Sequence, residues 1–164
     1  MKLWIIYKDG IGFSKMIAEM LQDRLEDYLD VSVGNAKKID PSFLVEERVD
    51  YLIIGDVVSD TTQNLEIQNW LVKFWEISKK RNLTVKSVSG FYVILTDNSK
   101  YPLWVEFIQG NVKVEKMFPP ILRLKLNTAD LSLENGTLEL VNEYSNDFID
   151  FFINNEKSFR KKKD

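Results

Sequence analysis

The sequence predicts an α/β protein: a three-layer sandwich around a five-stranded parallel sheet of order 2-1-3-4-5. Three observations carry this prediction. Short apolar runs of strand length recur, at "KLWIIY" (2–7), "DYLIIG" (50–55) and "SGFYVILT" (89–96). Segments with apolar residues at a 3.6-residue period lie between them, so strands alternate with helices as in βαβ units. The chain has 164 residues, 45% of them hydrophobic and 29% charged, which suits one domain with a single core. Right-handed crossovers then place helices on both faces of the sheet.

The elements follow in order. The run 2–7 is a buried first strand, bounded by a glycine-containing loop. The helix after it carries Ile17, Leu21, Leu25 and Tyr28 on one face. "VSV" (31–33) is a short second strand, and 50–55 the third. A helix over 64–80 has the stripe Ile67, Trp70, Leu71, Phe74 and Ile77 and ends in basic residues, which suit a helix C-terminus. Trp75 lies off that stripe, either exposed as a partner surface or packed under a neighbouring loop. The fourth strand is 89–96. "PLWVEFIQ" (102–109) forms a helical turn or two from Pro102. "ILRLKL" (121–126) alternates, as an edge strand with one wetter face does. The last helix places Leu138, Val141, Ser145, Phe148, Ile149 and Phe152 at helical spacing. "DLSLENGTLEL" (130–140) admits two readings: a hairpin about Asn135-Gly136, or a loop whose glycine precedes the last helix. The stripe that starts at Leu138 favours the loop. Residues 1–155 are expected to form the domain, and 156–164 a basic, disordered tail.

The net charge of −3 supplies no field for nucleic acid or an anionic membrane. No run is long enough to span a bilayer and no secretory n-region/h-region pattern is present, so a cytoplasmic protein is expected. Cysteine and histidine are absent. That excludes disulfides, thiolate nucleophiles, Cys/His metal sites and histidine-based triads from this sequence. Redox chemistry would need a borrowed cofactor.

In such a sheet a ligand binds beyond the carboxyl ends of the strands, at the switch point between the first and third. The loops 8–14, 56–64 and 96–104 are therefore the ones to examine. In "KDGIGFSK", Gly10 and Gly12 let the backbone approach an anion closely, and Ser14 offers a hydroxyl at the positive end of the helix dipole. A tight turn that merely reverses the chain uses glycines in the same way.

The stretch "DGIGFSKMIAEML" resembles the opening of the flavodoxin-like family, in which an apolar strand leads into a hydroxyl-rich phosphate loop and a helix. Gly12 matches the loop's glycine, Ser14 its last hydroxyl, and Ile17-Ala18-Glu19 the helix start. "VDYLIIGDVV" is similar to the family's third strand, which leads to the flavin ring, and the element order matches over the whole chain. The resemblance implies FMN as cofactor and electron transfer or flavin-dependent oxidoreduction as activity. It also implies a redox partner protein or a small-molecule electron acceptor. The residues it would place around the flavin are Asp9, Gly10, Ile11, Gly12, Phe13 and Ser14 at the phosphate, with Asp56, Val57, Val58, Asp97, Tyr101 and Trp104 toward the ring. Tyr101 and Trp104 are the aromatic candidates for stacking. The loop departs from the family pattern at Asp9, which stands where a hydroxyl is expected, and at Ile11, which stands for the middle threonine. A carboxylate near a phosphate repels it by about 1 kcal/mol in water and more where shielded. Each missing donor costs about 1 kcal/mol. Together these weaken FMN binding on the order of 10²–10³-fold.

Two alternatives stand beside this. One is a flavodoxin-like module that has lost FMN and binds a protein partner. The other rests on Asp9, Asp56 and Asp97, each expected just after a strand, with Asp60 nearby: an acidic rim for Mg²⁺. That rim resembles the acidic pocket of response-regulator receiver domains, with Thr96 as the hydroxyl after the fourth strand. Lys125, however, lacks the following proline. Aspartates also cap helices and make turns in such loops without further function.

Overall fold

A computed structural model of the chain describes residues 1–59, 65–96, 102–111, 121–127 and 129–160, with side chains through 108 in the fourth helix and through 151 in the last. Six strands form one sheet in the order β2-β1-β3-β4-β5-β6. The strands are β1 (Lys2–Tyr7), β2 (Asp30–Asn35), β3 (Tyr51–Val58), β4 (Ser87–Ile94), β5 (Leu122–Asn127) and β6 (Ser132–Leu133). The helices are α1 (Phe13–Leu25), α2 (Pro41–Glu46), α3 (Glu66–Lys80), α4 (Leu103–Asn111) and α5 (Thr137–Arg160). The first five strands are parallel, and β6 pairs antiparallel with β5. Strands 1 to 5 thus keep the predicted 2-1-3-4-5 order, and a two-residue sixth strand is added. Among the described residues no helix is long and apolar enough to cross a membrane.

Side-chain alternation sorts the core into two layers. Leu3, Ile5, Tyr51, Ile53, Phe91 and Val93 face α1 and α5. Trp4, Ile6, Leu52, Ile54, Tyr92 and Ile94 face α2, α3 and α4. Strands β1, β3 and β4 are covered on both sides, which is why they read as unbroken apolar runs.

Three sequence expectations are corrected. β3 runs on to Val58, because Asp56, Val57 and Val58 pair in register with Tyr92, Val93 and Ile94 of β4. Asp56 is therefore a strand residue and not a loop residue. α2 was not anticipated; Asp40 caps it by accepting the Ser42 N–H at 2.9 Å, and Pro41 follows as its first residue. Tyr28 leaves the α1 stripe because the helix ends at Leu25, and its side chain is exposed. In 130–140 the hairpin exists, but its turn falls before β6, with Leu131 at φ 55°, while Gly136 at φ 88° leads into α5 as the loop reading expects. Trp75 is buried in the α2–α4 layer. α5 continues through residue 155 to Arg160.

Candidate functional site

Two of the expected segments meet at the carboxyl edge of the sheet, where β1 and β3 lie side by side. Lys8 extends the β1–β3 ladder by donating its N–H to the Gly55 carbonyl at 2.9 Å. The loop then turns through Asp9, Gly10 and Ile11 to Gly12, whose φ of 89° is in the region that favours glycine. A Cβ built on Gly10 or Gly12 would meet nothing within 4 Å, so the outer side of this loop is open space. Ile11 is exposed and Phe13 half-buried. Val57 and Val58, half-buried at the end of β3, point to opposite faces of the sheet, Val57 against the α1–α5 layer and Val58 against the α2–α4 layer.

The loop's hydrogen-bond groups are turned inward. The Gly12 N–H donates to Asp9 Oδ1 at 2.8 Å. Ser14 is fully buried, and its hydroxyl donates to the Lys8 carbonyl. Gly12 accepts the Met16 N–H at 3.0 Å, which starts α1. Asp9 thus places a carboxylate over the first turn of the helix, where the dipole favours negative charge. The amides of the first turn remain at this end of the helix.

Asp56 departs furthest from its expected role. Its side chain is buried, on the α2–α4 side of the sheet. Oδ2 accepts the indole N–H of Trp104 at 3.1 Å, and Oδ1 accepts the Val57 N–H at 2.8 Å. Burial pushes its carboxyl up to about 6, against the opposing pull of the Trp104 and Val57 hydrogen bonds and the Lys8 charge. An open acidic rim therefore does not form at Asp56. Among the described residues no three His, Cys, Asp or Glu side chains converge to hold a metal.

Trp104 is likewise removed from the set of ring-stacking candidates. It is 1% exposed, and its indole lies against the backbone of Gly90, where a Cβ would come within 2.6 Å of it. Its contribution is to anchor α4 to β3 through Asp56. Asp97, Tyr101 and Asp60 lie outside the described residues. A cleft of about 400 Å³ opens elsewhere, beyond the end of β2, lined among others by Lys37, Lys38, Asp40, Trp70 and Lys73. It contains none of the candidate site residues named from the sequence, although Trp70 of the α3 stripe lines it; the lysine pair ahead of the α2 cap is the sequence signal nearest to it.

No family model matches the chain, and no curated protein sequence does. Solved structures do. Oxidised flavodoxin 1 from Bacillus cereus superimposes with a TM-score of 0.69 at 16% identity, over 92% of this chain and 98% of that one. The chain has the flavodoxin-like fold. A flavodoxin from the domain Archaea matches with a TM-score of 0.68 at 17% identity, over 92% and 95% of the two chains. The rubredoxin:oxygen oxidoreductase of Desulfovibrio gigas matches with a TM-score of 0.67 at 13% identity, over 88% of this chain and 34% of that larger one. In the flavodoxin-like fold the loop 8–14 and the end of β3 occupy the switch point of the sheet.

FMN, which the fold family implies, can be tested against these residues. The open space beside Gly10 and Gly12 and the exposed Ile11 leave room for a flat apolar ring. The phosphate end does not fit. The Gly12 amide and the Ser14 hydroxyl are engaged within the loop, and a carboxylate stands among the donors that a phosphate would need.

Proposed function

We propose that this protein binds a flavin at the β1–β3 edge and works in electron transfer, with a redox partner protein or a small-molecule acceptor. The observation that carries the reading is the open space beside Gly10 and Gly12, at the switch point of a flavodoxin-like sheet. A bound flavin supplies the redox chemistry, and the chain supplies binding and electrostatics. FMN is the cofactor that the resemblance implies; the flavin ring, and not the phosphate end, is the part that this edge suits.

The chain's own residues have definable tasks. Gly10 and Gly12 leave room for close approach of a guest. The exposed Ile11 offers an apolar contact to its ring. Asp56, once ionised, adds negative charge behind the end of β3 and disfavours an anionic guest there. The absorption spectrum of freshly purified protein tests the proposal, with added flavin as the second arm. Flavin bands in the visible, or their perturbation when flavin is added, are expected. A colourless protein that leaves the spectrum of added flavin unchanged removes it. That outcome would favour a flavodoxin-like module that docks a protein partner without flavin, a reading supported by the inward-turned Gly12 and Ser14 groups.

A further inference from the structure

We propose that Asp9 makes this chain select a flavin that ends in a polyol, of the riboflavin class, over one that ends in a phosphate monoester. The inference rests on the flavin reading and concerns the specificity of the same site. At the start of α1 the chain supplies its own anion: Asp9 Oδ1 accepts the Gly12 N–H at 2.8 Å. This carboxylate is tethered three residues away, so it competes with any dissolved anion at a high effective concentration. The Ser14 hydroxyl offers no alternative, since it is fully buried and directs its proton to the Lys8 carbonyl.

Lys15, in the first turn of α1, is paired with Glu19 at 3.6 Å. A phosphate would therefore meet a carboxylate of like charge with two of the loop's donors already engaged. A sugar-alcohol tail meets the opposite chemistry. Its hydroxyls donate, and Asp9 Oδ2, which has no hydrogen-bond partner among the described residues, accepts. The loop offers an acceptor where a phosphate loop offers donors.

The test is calorimetric titration of the full-length chain with riboflavin and with FMN, repeated on Asp9→Ser and Asp9→Asn. Asn keeps an acceptor for the Gly12 N–H and removes the charge, so it separates repulsion from loss of the loop's internal bond. Circular dichroism confirms that each variant is folded. Wild type is expected to bind riboflavin at least as tightly as FMN. The ratio should shift toward FMN by tenfold or more in Asp9→Ser, and by less in Asp9→Asn. Wild type binding FMN more than tenfold tighter than riboflavin, or a ratio unchanged by both substitutions, overturns the inference and leaves the flavin reading standing. Absence of binding by either flavin to all three folded proteins overturns both.

Discussion

At Asp56 a single carboxyl is held between opposing forces. Burial favours its neutral form, while the Trp104 and Val57 N–H groups and the Lys8 charge favour the ionised form, and burial wins, leaving the group at about 6. The unfolded chain ionises this aspartate near the ordinary aspartate value of 3.8. Below that value both states are protonated and the group contributes no difference. As pH rises from about 4 to about 6, the unfolded state releases its proton first, so the folded state loses relative stability across this window. A rise of about two units corresponds to a loss of about 2–3 kcal/mol, complete above pH 7. Asp56→Asn removes the titration. Its stability relative to wild type should therefore climb by about 2–3 kcal/mol between pH 4 and pH 7, whatever its constant offset. Urea denaturation of both proteins across that range measures the difference, from which the shared titrations of other groups cancel. A difference that stays flat with pH would mean that Asp56 is well solvated. The partnership with Trp104 was not legible in the sequence, because the two residues are 48 positions apart and only the sheet register brings them together.

The β5–β6 hairpin shows how an element can be present and yet misplaced by sequence reading. Asn135-Gly136 is the stronger turn signal, but Gly136 is used to enter α5, and the hairpin turns earlier, before Ser132. Asp130 stabilises that turn by accepting both the backbone N–H of Ser132, at 3.1 Å, and its hydroxyl, at 2.6 Å. The turn places Leu131 at φ 55° with its side chain 64% exposed, so a branched residue occupies the left-handed region and gains no burial there. Leu131→Asn should stabilise the protein by about 1 kcal/mol, since asparagine tolerates this conformation. A thermal melt that rises by a few degrees would confirm it. No change or a lower midpoint would show that the leucine packs on a surface in solution. β5 itself alternates buried and exposed side chains as predicted. It is not left as a bare edge, because β6 covers part of it with two paired residues.

Across the whole molecule, stability is graded from the centre of the sheet outward. β1, β3 and β4 are buried on both faces, with Ile5, Ile53 and Val93 at 0% exposure. β2 is a half-buried outer strand, and β6 is two residues long. Native-state hydrogen exchange should therefore divide the amides by position. Those of Ile5, Ile53 and Val93 should exchange only through global unfolding, while Leu133 in β6 exchanges through a smaller opening that is insensitive to low denaturant. Uniform protection across the sheet would show that β6 is locked to the core. The same gradient bears on function, because the loop 8–14 leaves the protected strand β1 directly. Its glycines lie on a rigid support with their outer side open.

The amino-acid sequence by itself determined the alternation of strands and helices, the order of the five parallel strands and the loops that meet at the carboxyl edge. The alternation follows from local periodicity, which is written in neighbouring residues, and right-handed crossovers narrow the strand orders to a few. It also displayed the anomaly at Asp9, because a carboxylate among loop glycines is visible without coordinates. The tertiary structure alone decided what the polar groups do. Asp9 turns back to its own Gly12 amide, Ser14 to the Lys8 carbonyl, and Asp56 disappears into the core beside Trp104. Whether a polar side chain faces a guest or its own backbone depends on angles and distances set by the packed sheet, and no pattern of residue types along the chain encodes that choice.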